Sequence, residues 1–346
     1  MSKAAYGRKD IMFRLIASPY RLISWILIRI AYLLRLKRVP VLPLWIDIEP
    51  NNTCNFKCAH CHVTYWDKKP AYFNRDTFTQ VLQQLPHLMK VKLQGMGEPL
   101  LNKELIPMLQ AGEARGIQMH FHTNGSMGDP EKAAQLVQLQ NTHITYSIDG
   151  ATAATFEQVR AGSRFDRIVE NVLMLTKLRD LNSKLLVSAW TVITQKNIGE
   201  LPQIVKLAKQ LGLDYIAIQP HLTSWGKDEM QARTDQIQVA TESDFFAQQL
   251  AAAHAVAATE GIDLLVNESN RFSRKKPCPL PWNTSYIAAN GDVVPCCVIA
   301  DADVAKMGNV FETDFQEIWN APAYQTLRSQ IASHDLPDHC KHCYQD

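Results

Sequence analysis

Residues 54–61 read Cys-Asn-Phe-Lys-Cys-Ala-His-Cys and place three thiols, Cys54, Cys58 and Cys61, on one short segment. The segment closely follows an apolar run, residues 44–49, that is typical of a buried strand. Three thiolates at this spacing can hold three irons of one [4Fe–4S] cubane and leave the fourth iron open to an exchangeable ligand. A zinc site formed by the three thiolates and a nearby histidine is the alternative interpretation.

Apolar runs typical of strands alternate with helical patterns between residue 44 and about residue 220. The predicted strands are Leu44–Glu49, Val91–Gly95, Met119–Thr123, His143–Asp149, Leu185–Thr194 and Tyr215–Gln219. The predicted helices cover residues 76–89, 101–115, 130–140, 164–182 and 198–211, and another is expected around 243–260. This order predicts the α/β class, as a partial (β/α)6 TIM-like barrel whose ligands gather at the C-terminal strand ends.

The chain divides into three predicted parts. Residues 1–43 form a basic amphipathic helix and linker, residues 44–270 form the barrel, and residues 271–346 form a small module with short hairpin signals. The eight cysteines fall in two groups, with none between residues 62 and 277, which favours metal ligands in a reducing cytoplasm over a disulfide framework. The net charge of +2 gives no argument for a nucleic-acid partner.

The N-terminal part is apolar but carries too many arginines for a membrane-spanning helix. Ser18-Pro19 predicts a helix start. One arc of about 120° on that helix holds the basic and aromatic residues Arg14, Arg21, Trp25, Arg29, Tyr32 and Arg35. We therefore expect a helix in the membrane interface, at the inner face of the cell membrane, with its arginines on lipid phosphates. Packing on this protein or on a protein partner is the alternative.

The eight-residue segment resembles the Cys-x3-Cys-x-aromatic-Cys signature of radical S-adenosylmethionine (SAM) enzymes, with His60 at the aromatic position. Residues 94–99, Gln-Gly-Met-Gly-Glu-Pro, resemble that family's Gly-Gly-Glu-Pro motif, and residues 123–125 and 147–150 end the next two strands as in the family. The resemblance implies a catalytic [4Fe–4S] cluster on Cys54, Cys58 and Cys61. It assigns SAM contacts to His60, Gln94, Gly95, Met96, Gly97, Glu98, Asn124, Ser147 and Arg160.

The C-terminal module resembles the Twitch form of the SPASM auxiliary-cluster extension. The resemblance implies one auxiliary [4Fe–4S] cluster held by Cys278, Cys296, Cys340 and Cys343, and a zinc ribbon built from the same four thiols is the alternative. Cys297 is left over. It is either a hydrogen-atom donor to a substrate radical or a small buried side chain.

The resemblance implies an enzyme that cleaves SAM reductively and abstracts a hydrogen atom from its substrate, with electrons from a flavodoxin- or ferredoxin-type protein. We expect oxidation of a small or lipid-linked polar substrate, similar to a sugar or cyclitol. Two alternatives use the same radical chemistry: an epimerase and a peptide-maturing enzyme. For the peptide-maturing alternative, the sequence shows no dedicated peptide-recognition domain. A membrane-attached metal scaffold without catalysis is the alternative from another class.

Overall fold

A computed structural model of the protein describes residues 15–16, 18–179, 183–267 and 272–344. Arg14 and the predicted domain boundary between residues 270 and 271 lie outside these ranges. Within them, helix α1, Pro19–Leu33, precedes the barrel, as the Ser18-Pro19 pair predicts. The Ser18 side chain accepts a hydrogen bond from the Arg21 amide and caps this helix.

The described residues form one sheet of ten strands. These are β1 Trp45–Ile48, β2 Lys90–Leu93, β3 Gln118–Thr123, β4 Thr142–Ser147, β5 Leu186–Val192, β6 Tyr215–Gln219, β7 Asp263–Val266, β8 Tyr286–Ile287, β9 Asp292–Val294 and β10 Gly308–Asn309. Strands β1 to β7 pair in chain order and all run parallel. The six predicted strands are confirmed as β1 to β6, and β7 is a seventh strand that the sequence pattern did not predict.

Helices follow the strands in the alternation expected of a βα barrel. They are α2 Arg75–Gln83, α3 Leu105–Ala114, α4 Pro130–Leu136, α5 Ala153–Val159, α6 Phe165–Leu178, α7 Leu201–Gln210, α8 Asp228–Asp235, α9 Asp244–Glu260, α10 Leu280–Asn283, α11 Phe315–Trp319, α12 Pro322–Ser333 and α13 Asp338–Lys341. Several begin at a residue whose side chain accepts a backbone N–H, among them Asn74 before α2 and Asp129 before α4. These caps fix where the chain leaves each loop and therefore where the loops at the strand ends lie.

The strands alternate between apolar and polar side chains. Val91 and Leu93 of β2 belong to the large apolar core that also includes residues of the helices, whereas Lys92 between them faces the other side of the sheet. On that inner side the rings of His120 and His143 stack 4.1 Å apart. The inside of the barrel is therefore a polar lumen rather than a second apolar layer.

The C-terminal module continues the barrel sheet, although the sequence pattern indicated a separate unit. Strand β8 pairs in parallel with β1, and β9 and β10 add antiparallel strands beyond it. The hydrogen bonds to β8 use the free edge of β1, which would otherwise be exposed. The module therefore stands directly beside the loop that carries the first three cysteines.

Helix α1 packs part of its basic and aromatic side against the protein, which corrects the expectation of a lipid contact for Arg21, whereas Arg29 on the same side is exposed. The Arg21 Nη2 donates to the Leu88 carbonyl at 2.9 Å, and the Tyr32 hydroxyl donates to the Pro277 carbonyl at 2.8 Å. The indole of Trp25 is half-buried against the core. No helix within the described ranges is both long and apolar enough to cross a bilayer.

Candidate active site

The loop after β1 carries Cys54, Cys58 and Cys61, and local hydrogen bonds shape it. The Phe56 amide donates to the Cys54 Sγ at 3.4 Å, and the Cys61 amide donates to the Cys58 carbonyl at 3.1 Å. The buried Phe56 ring anchors the loop in the core. The three thiols consequently stand close together at the C-terminal end of the barrel.

One cavity at this end brings together every residue for which the sequence predicts a SAM contact. Its walls contain Cys54, Cys58 and Cys61 together with His60, Gln94, Gly95, Met96, Gly97, Glu98, Asn124, Ser147 and Arg160. These residues come from the ends of β1 to β4 and from the segment after α5. The geometry therefore fits a ligand that touches the thiols and all four strand ends, and each individual contact stays a prediction.

Glu98 lines the cavity, but its carboxylate is occupied by the protein. It accepts hydrogen bonds from the Thr123 hydroxyl at 2.7 Å and from the Asn124 amide at 2.7 Å. It also accepts from the Leu100 amide at 3.0 Å. Glu98 thus ties the loop after β2 to the end of β3 and positions Asn124, whose side-chain amide lies 3.9 Å from the Cys54 Sγ.

Gly95 and Gly97 are required by contacts within the protein. A Cβ on Gly95 would lie 2.5 Å from the Glu49 side chain, and one on Gly97 would lie 2.1 Å from the Asn51 carbonyl oxygen. Glycine at these positions would also suit the SAM contacts that the resemblance implies, because it lets the backbone approach a ligand. The structure gives a different physical reason, since the missing side chains let the loop after β2 lie against the loop after β1.

Arg160 supplies the positive charge of this cavity. Its Nε lies 2.7 Å from the Asp149 Oδ2, and both side chains are buried. Burial raises the pKa of Cys58 to about 11, and the nearby Arg160 guanidinium opposes that rise. Burial lowers the pKa of His60 to about 4, so its imidazole is neutral at pH 7 and presents an uncharged ring.

A second cavity lies deeper in the lumen and shares walls with the first. Lys92, Tyr286 and Cys297 line only the second, whereas His122 and Trp225 line both. The His122 Nε2 and the Trp225 Nε1 are buried and have no hydrogen-bond partner among the described residues. Buried polar atoms without partners are costly, so their position in these walls fits a polar ligand.

The C-terminal module gathers four thiols, those of Cys278, Cys296, Cys340 and Cys343. They are close enough that each charge affects the others, and burial raises the pKa of Cys296 and of Cys340 to about 12. Cys297 stands apart from this group. Its thiol faces the lumen within hydrogen-bonding reach of the Asp47 carboxylate, and burial raises its pKa well above the usual range.

Asp301 connects the C-terminal module to the loops around the cavity. This fully buried carboxylate lies 2.9 Å from the Lys68 Nζ and 2.7 Å from the Lys227 Nζ. Burial opposes ionisation of Asp301, but hydrogen bonds with His62, Lys227 and Lys68 hold its pKa well below the usual range. The His62 Nε2 lies 3.3 Å from the same carboxylate. This contact uses the Nε2 of His62, and the Nδ1 of the same ring is buried without a hydrogen-bond partner among the described residues.

Thiol chemistry fits an iron–sulfur cluster in both places. All eight cysteines are free, so none is lost to a disulfide. In the part of the chain that the structure describes, no three His, Cys, Asp or Glu side chains are gathered closely enough to hold a single metal ion.

Asp47, Lys92, Trp190 and Asn267 are candidate site residues that the sequence analysis missed. Asp47 lies beside Cys297, and the other three line the deeper cavity. A signal for the first three was available, because strands buried on both faces usually read as continuous apolar runs. The charged and polar residues at alternate positions of β1, β2 and β5 therefore indicated a polar lumen.

Two family models match the chain. The model of the radical SAM superfamily matches residues 48–208, and the model of the SPASM iron–sulfur cluster-binding domain matches residues 278–344. Together they cover about two thirds of the chain. The protein belongs to the radical SAM superfamily.

The radical SAM domain implies SAM and a [4Fe–4S] cluster that binds SAM. The SPASM domain implies auxiliary iron–sulfur clusters. The PqqA peptide cyclase of Gluconobacter oxydans is 23% identical over 318 residues, covering 88% of this chain and 84% of the cyclase. The AdoMet-dependent heme synthase of Methanosarcina barkeri is 24% identical over 309 residues, covering 83% of this chain and 85% of the synthase.

The fold of this radical SAM enzyme is similar to a solved structure of SuiB from Streptococcus suis bound to the precursor peptide SuiA. The TM-score is 0.66 at 17% sequence identity, and the match covers 83% of this chain and 67% of SuiB. At this identity the likeness shows the fold alone.

Proposed function

We propose that this radical SAM enzyme modifies a peptide, with the cofactor in the outer cavity and the modified residue in the deeper one. The observation that carries the proposal is that the two cavities share walls at the C-terminal end of the barrel. The names of relatives support the substrate class, since one acts on the PqqA peptide and the similar SuiB structure holds a precursor peptide. They favour the peptide alternative over a sugar or cyclitol.

The three thiols of Cys54, Cys58 and Cys61 would hold the [4Fe–4S] cluster. When bound, the reduced cluster and SAM supply a 5′-deoxyadenosyl radical that abstracts a hydrogen atom from the substrate. Arg160 suits the SAM carboxylate because a guanidinium binds a carboxylate in a bidentate manner. The neutral ring of His60 would lie against the adenine, and Asn124 and Ser147 offer polar atoms at neighbouring strand ends.

The deeper cavity would receive the side chain of the residue that is modified. Its described polar groups include Lys92, His122 and Trp225, and burial keeps the pKa of His122 well below its usual value, so that ring is neutral. A flexible polar side chain with its peptide backbone at the mouth fits such a pocket, because the two unpartnered ring nitrogens would gain hydrogen bonds.

Cys297 would return a hydrogen atom to the substrate radical. Its thiol is protonated at pH 7 because burial and the Asp47 carboxylate raise its pKa. In this step the S–H bond breaks and a C–H bond forms, leaving a thiyl radical on Cys297. An electron from a flavodoxin- or ferredoxin-type protein and a proton from solvent then restore the thiol. This outcome is redox-neutral for the peptide, as in an epimerisation.

The four thiols of the SPASM domain, Cys278, Cys296, Cys340 and Cys343, would hold the auxiliary [4Fe–4S] cluster. Free thiols in both groups support a location in the reducing cytoplasm.

Deuterium transfer tests the substrate class. The anaerobically reconstituted enzyme is supplied with SAM, reductant and a peptide encoded beside its own gene, carrying deuterium on one residue type at a time. We expect deuterium in 5′-deoxyadenosine with one labelled residue. A panel of deuterated aminocyclitols serves as the comparison, and transfer from a cyclitol without transfer from any peptide would contradict the proposal.

Turnover in D2O tests Cys297. The wild-type enzyme should place one deuterium on the attacked carbon, because the thiol exchanges with solvent. Cys297→Ser keeps the shape of the side chain, but its O–H bond is too strong to donate a hydrogen atom, so deuterium in the product should fall at least about tenfold while SAM cleavage continues. Unchanged deuterium incorporation in Cys297→Ser would exclude Cys297 as the donor.

A further inference from the structure

Exposed apolar side chains are concentrated on helix α1 and the chain next to it. Eight of the fourteen large hydrophobic side chains that the described residues expose lie between residues 16 and 36. They are Ile16, Tyr20, Ile23, Ile26, Ile30, Leu33, Leu34 and Leu36. Those on the helix recur every three or four positions and so share one side, the outer face of α1.

Exposure on this outer face is large for aliphatic side chains. Ile23 is 53% exposed and Leu33 is 69% exposed. The opposite side of the helix packs on the protein, since Ile28 and Ala31 are buried and the Tyr32 hydroxyl donates to the Pro277 carbonyl. The helix is therefore fixed to the protein by one side and presents a continuous apolar strip on the other.

Charge identifies the surface that this strip fits. Residues 1–46 contain nine of the 36 Lys and Arg residues but only one of the 34 acidic residues, so the other 300 residues carry a formal net charge of −6. Arg29, Lys37 and Arg38 are exposed beside the outer face or directly after the helix. An apolar strip with basic residues at its border is the composition of helices that lie in an anionic membrane interface.

We propose that the outer face of α1 docks this protein on a bilayer surface that contains anionic lipid. Each basic residue near such a surface is attracted by its negative charge, and the aliphatic side chains add the burial of their apolar area. The acidic remainder of the chain opposes binding through any other face. Docking is independent of the proposed peptide chemistry.

The position of α1 also sets the orientation on the bilayer. Tyr20 stacks on His87 at 5.5 Å, and Arg21 binds the Leu88 carbonyl, just before the N-terminal end of β2. The catalytic cavity opens at the opposite, C-terminal, ends of the strands. In the docked enzyme the opening of the catalytic cavity would therefore face water, where a peptide can enter. This orientation argues against a lipid-linked substrate.

Vesicle sedimentation of the complete, cluster-loaded protein tests the docking. The vesicles are pure phosphatidylcholine or phosphatidylcholine with a third of phosphatidylglycerol. We expect binding to the anionic vesicles that weakens with added salt. In the variant Ile23→Asn/Ile30→Asn/Leu33→Asn the partition constant should fall at least about tenfold, since three exposed apolar contacts are lost.

Matched variants separate docking from general effects. Phe245→Asn/Phe311→Asn removes two exposed aromatic side chains elsewhere and should bind vesicles like the wild type. Arg29→Gln/Lys37→Gln/Arg38→Gln should lose the preference for anionic vesicles. SAM cleavage should be unchanged in all three. Failure of the wild type to sediment with either vesicle, or a dimer that only the Asn triple variant abolishes, would overturn the proposal and assign this face to another partner.

Discussion

The two thiol groups of this protein differ by one member. Cys54, Cys58 and Cys61 line an open cavity together with Arg160 and strand-end residues. The SPASM domain instead gathers four thiols, which can close the coordination of a cubane. On the proposed ligand assignment, the same thiol chemistry would leave an exchangeable iron in the first group and would complete the cluster in the second, which distinguishes a catalytic cluster from an auxiliary one.

The largest expected effect is the loss of SAM cleavage when one thiol of the three-thiol group is removed. Cys58→Ser should reduce SAM cleavage by about a thousandfold or more, because the cluster that binds SAM loses one of only three protein ligands. Iron content should fall from about eight to about four atoms per chain. Iron analysis and quantification of 5′-deoxyadenosine measure both, with circular dichroism as the control for folding. Full cleavage activity in this variant would contradict the assignment.

Cys340→Ser is the reciprocal test on the four-thiol group. We expect the same loss of about four irons, but SAM cleavage within about threefold of the wild type, since the outer cavity keeps its three thiols. Comparison of the two variants under identical reconstitution sharpens the contrast. A Cys340→Ser enzyme that retains all its iron yet cannot cleave SAM would reverse the roles given to the two groups.

Arg160 tests the cavity side of the comparison without removing a thiol. Arg160→Lys keeps the charge beside Asp149 but loses the planar fork, so the Kd for SAM should rise about tenfold. Equilibrium dialysis with labelled SAM under argon measures this. Arg179→Lys, at the ion pair with Asp214 away from the cavity, is the matched control and should leave the Kd unchanged.

Glu49 joins the two regions and should make stability depend on pH. Its buried carboxyl accepts the Met96 amide at 2.8 Å and the Ala289 amide at 3.1 Å, and burial raises its pKa from 4.5 to about 7. The folded protein therefore binds more protons than the unfolded chain between these values, and stability declines as pH rises through about 7. The contribution is at most about 3 kcal/mol.

Chemical unfolding at pH 6 and pH 8 measures this effect. Glu49→Gln keeps one acceptor oxygen and cannot titrate, so the pH-dependent difference in the free energy of unfolding should become smaller than in the wild type. Glu312→Gln changes an exposed carboxyl of the C-terminal module and should leave that difference unchanged. An unaltered pH dependence in Glu49→Gln would show that other groups cause it.

The sequence predicted the elements whose signals are local. Alternating patterns gave β1 to β6, and the spacing of Cys54, Cys58 and Cys61 gave the centre of the cavity. Strand β7 was missed because Asp263–Val266 is a short edge strand that is only partly buried. Pairing of β8 with β1 was not predictable either, since it joins residues about 240 positions apart and no local pattern encodes such a contact.

The sequence also could not tell which side of a helix or strand faces the protein interior. The helical period correctly divided α1 into two sides, but a period does not tell which side meets the protein. Contacts of Arg21 and Tyr32 with distant carbonyl groups decided that question. The lumen residues Asp47 and Lys92 were overlooked for a related reason, because strand periodicity was used to locate strands and not to compare their two faces.

The most direct test of the central claim is electron paramagnetic resonance of the reduced protein with and without SAM. The account predicts that SAM shifts one of two cluster signals, and that Cys58→Ser removes this signal while Cys340→Ser retains it. A SAM-dependent shift that survives in Cys58→Ser, or the absence of any shift in the fully loaded wild type, would contradict the claim that three thiols leave one iron open.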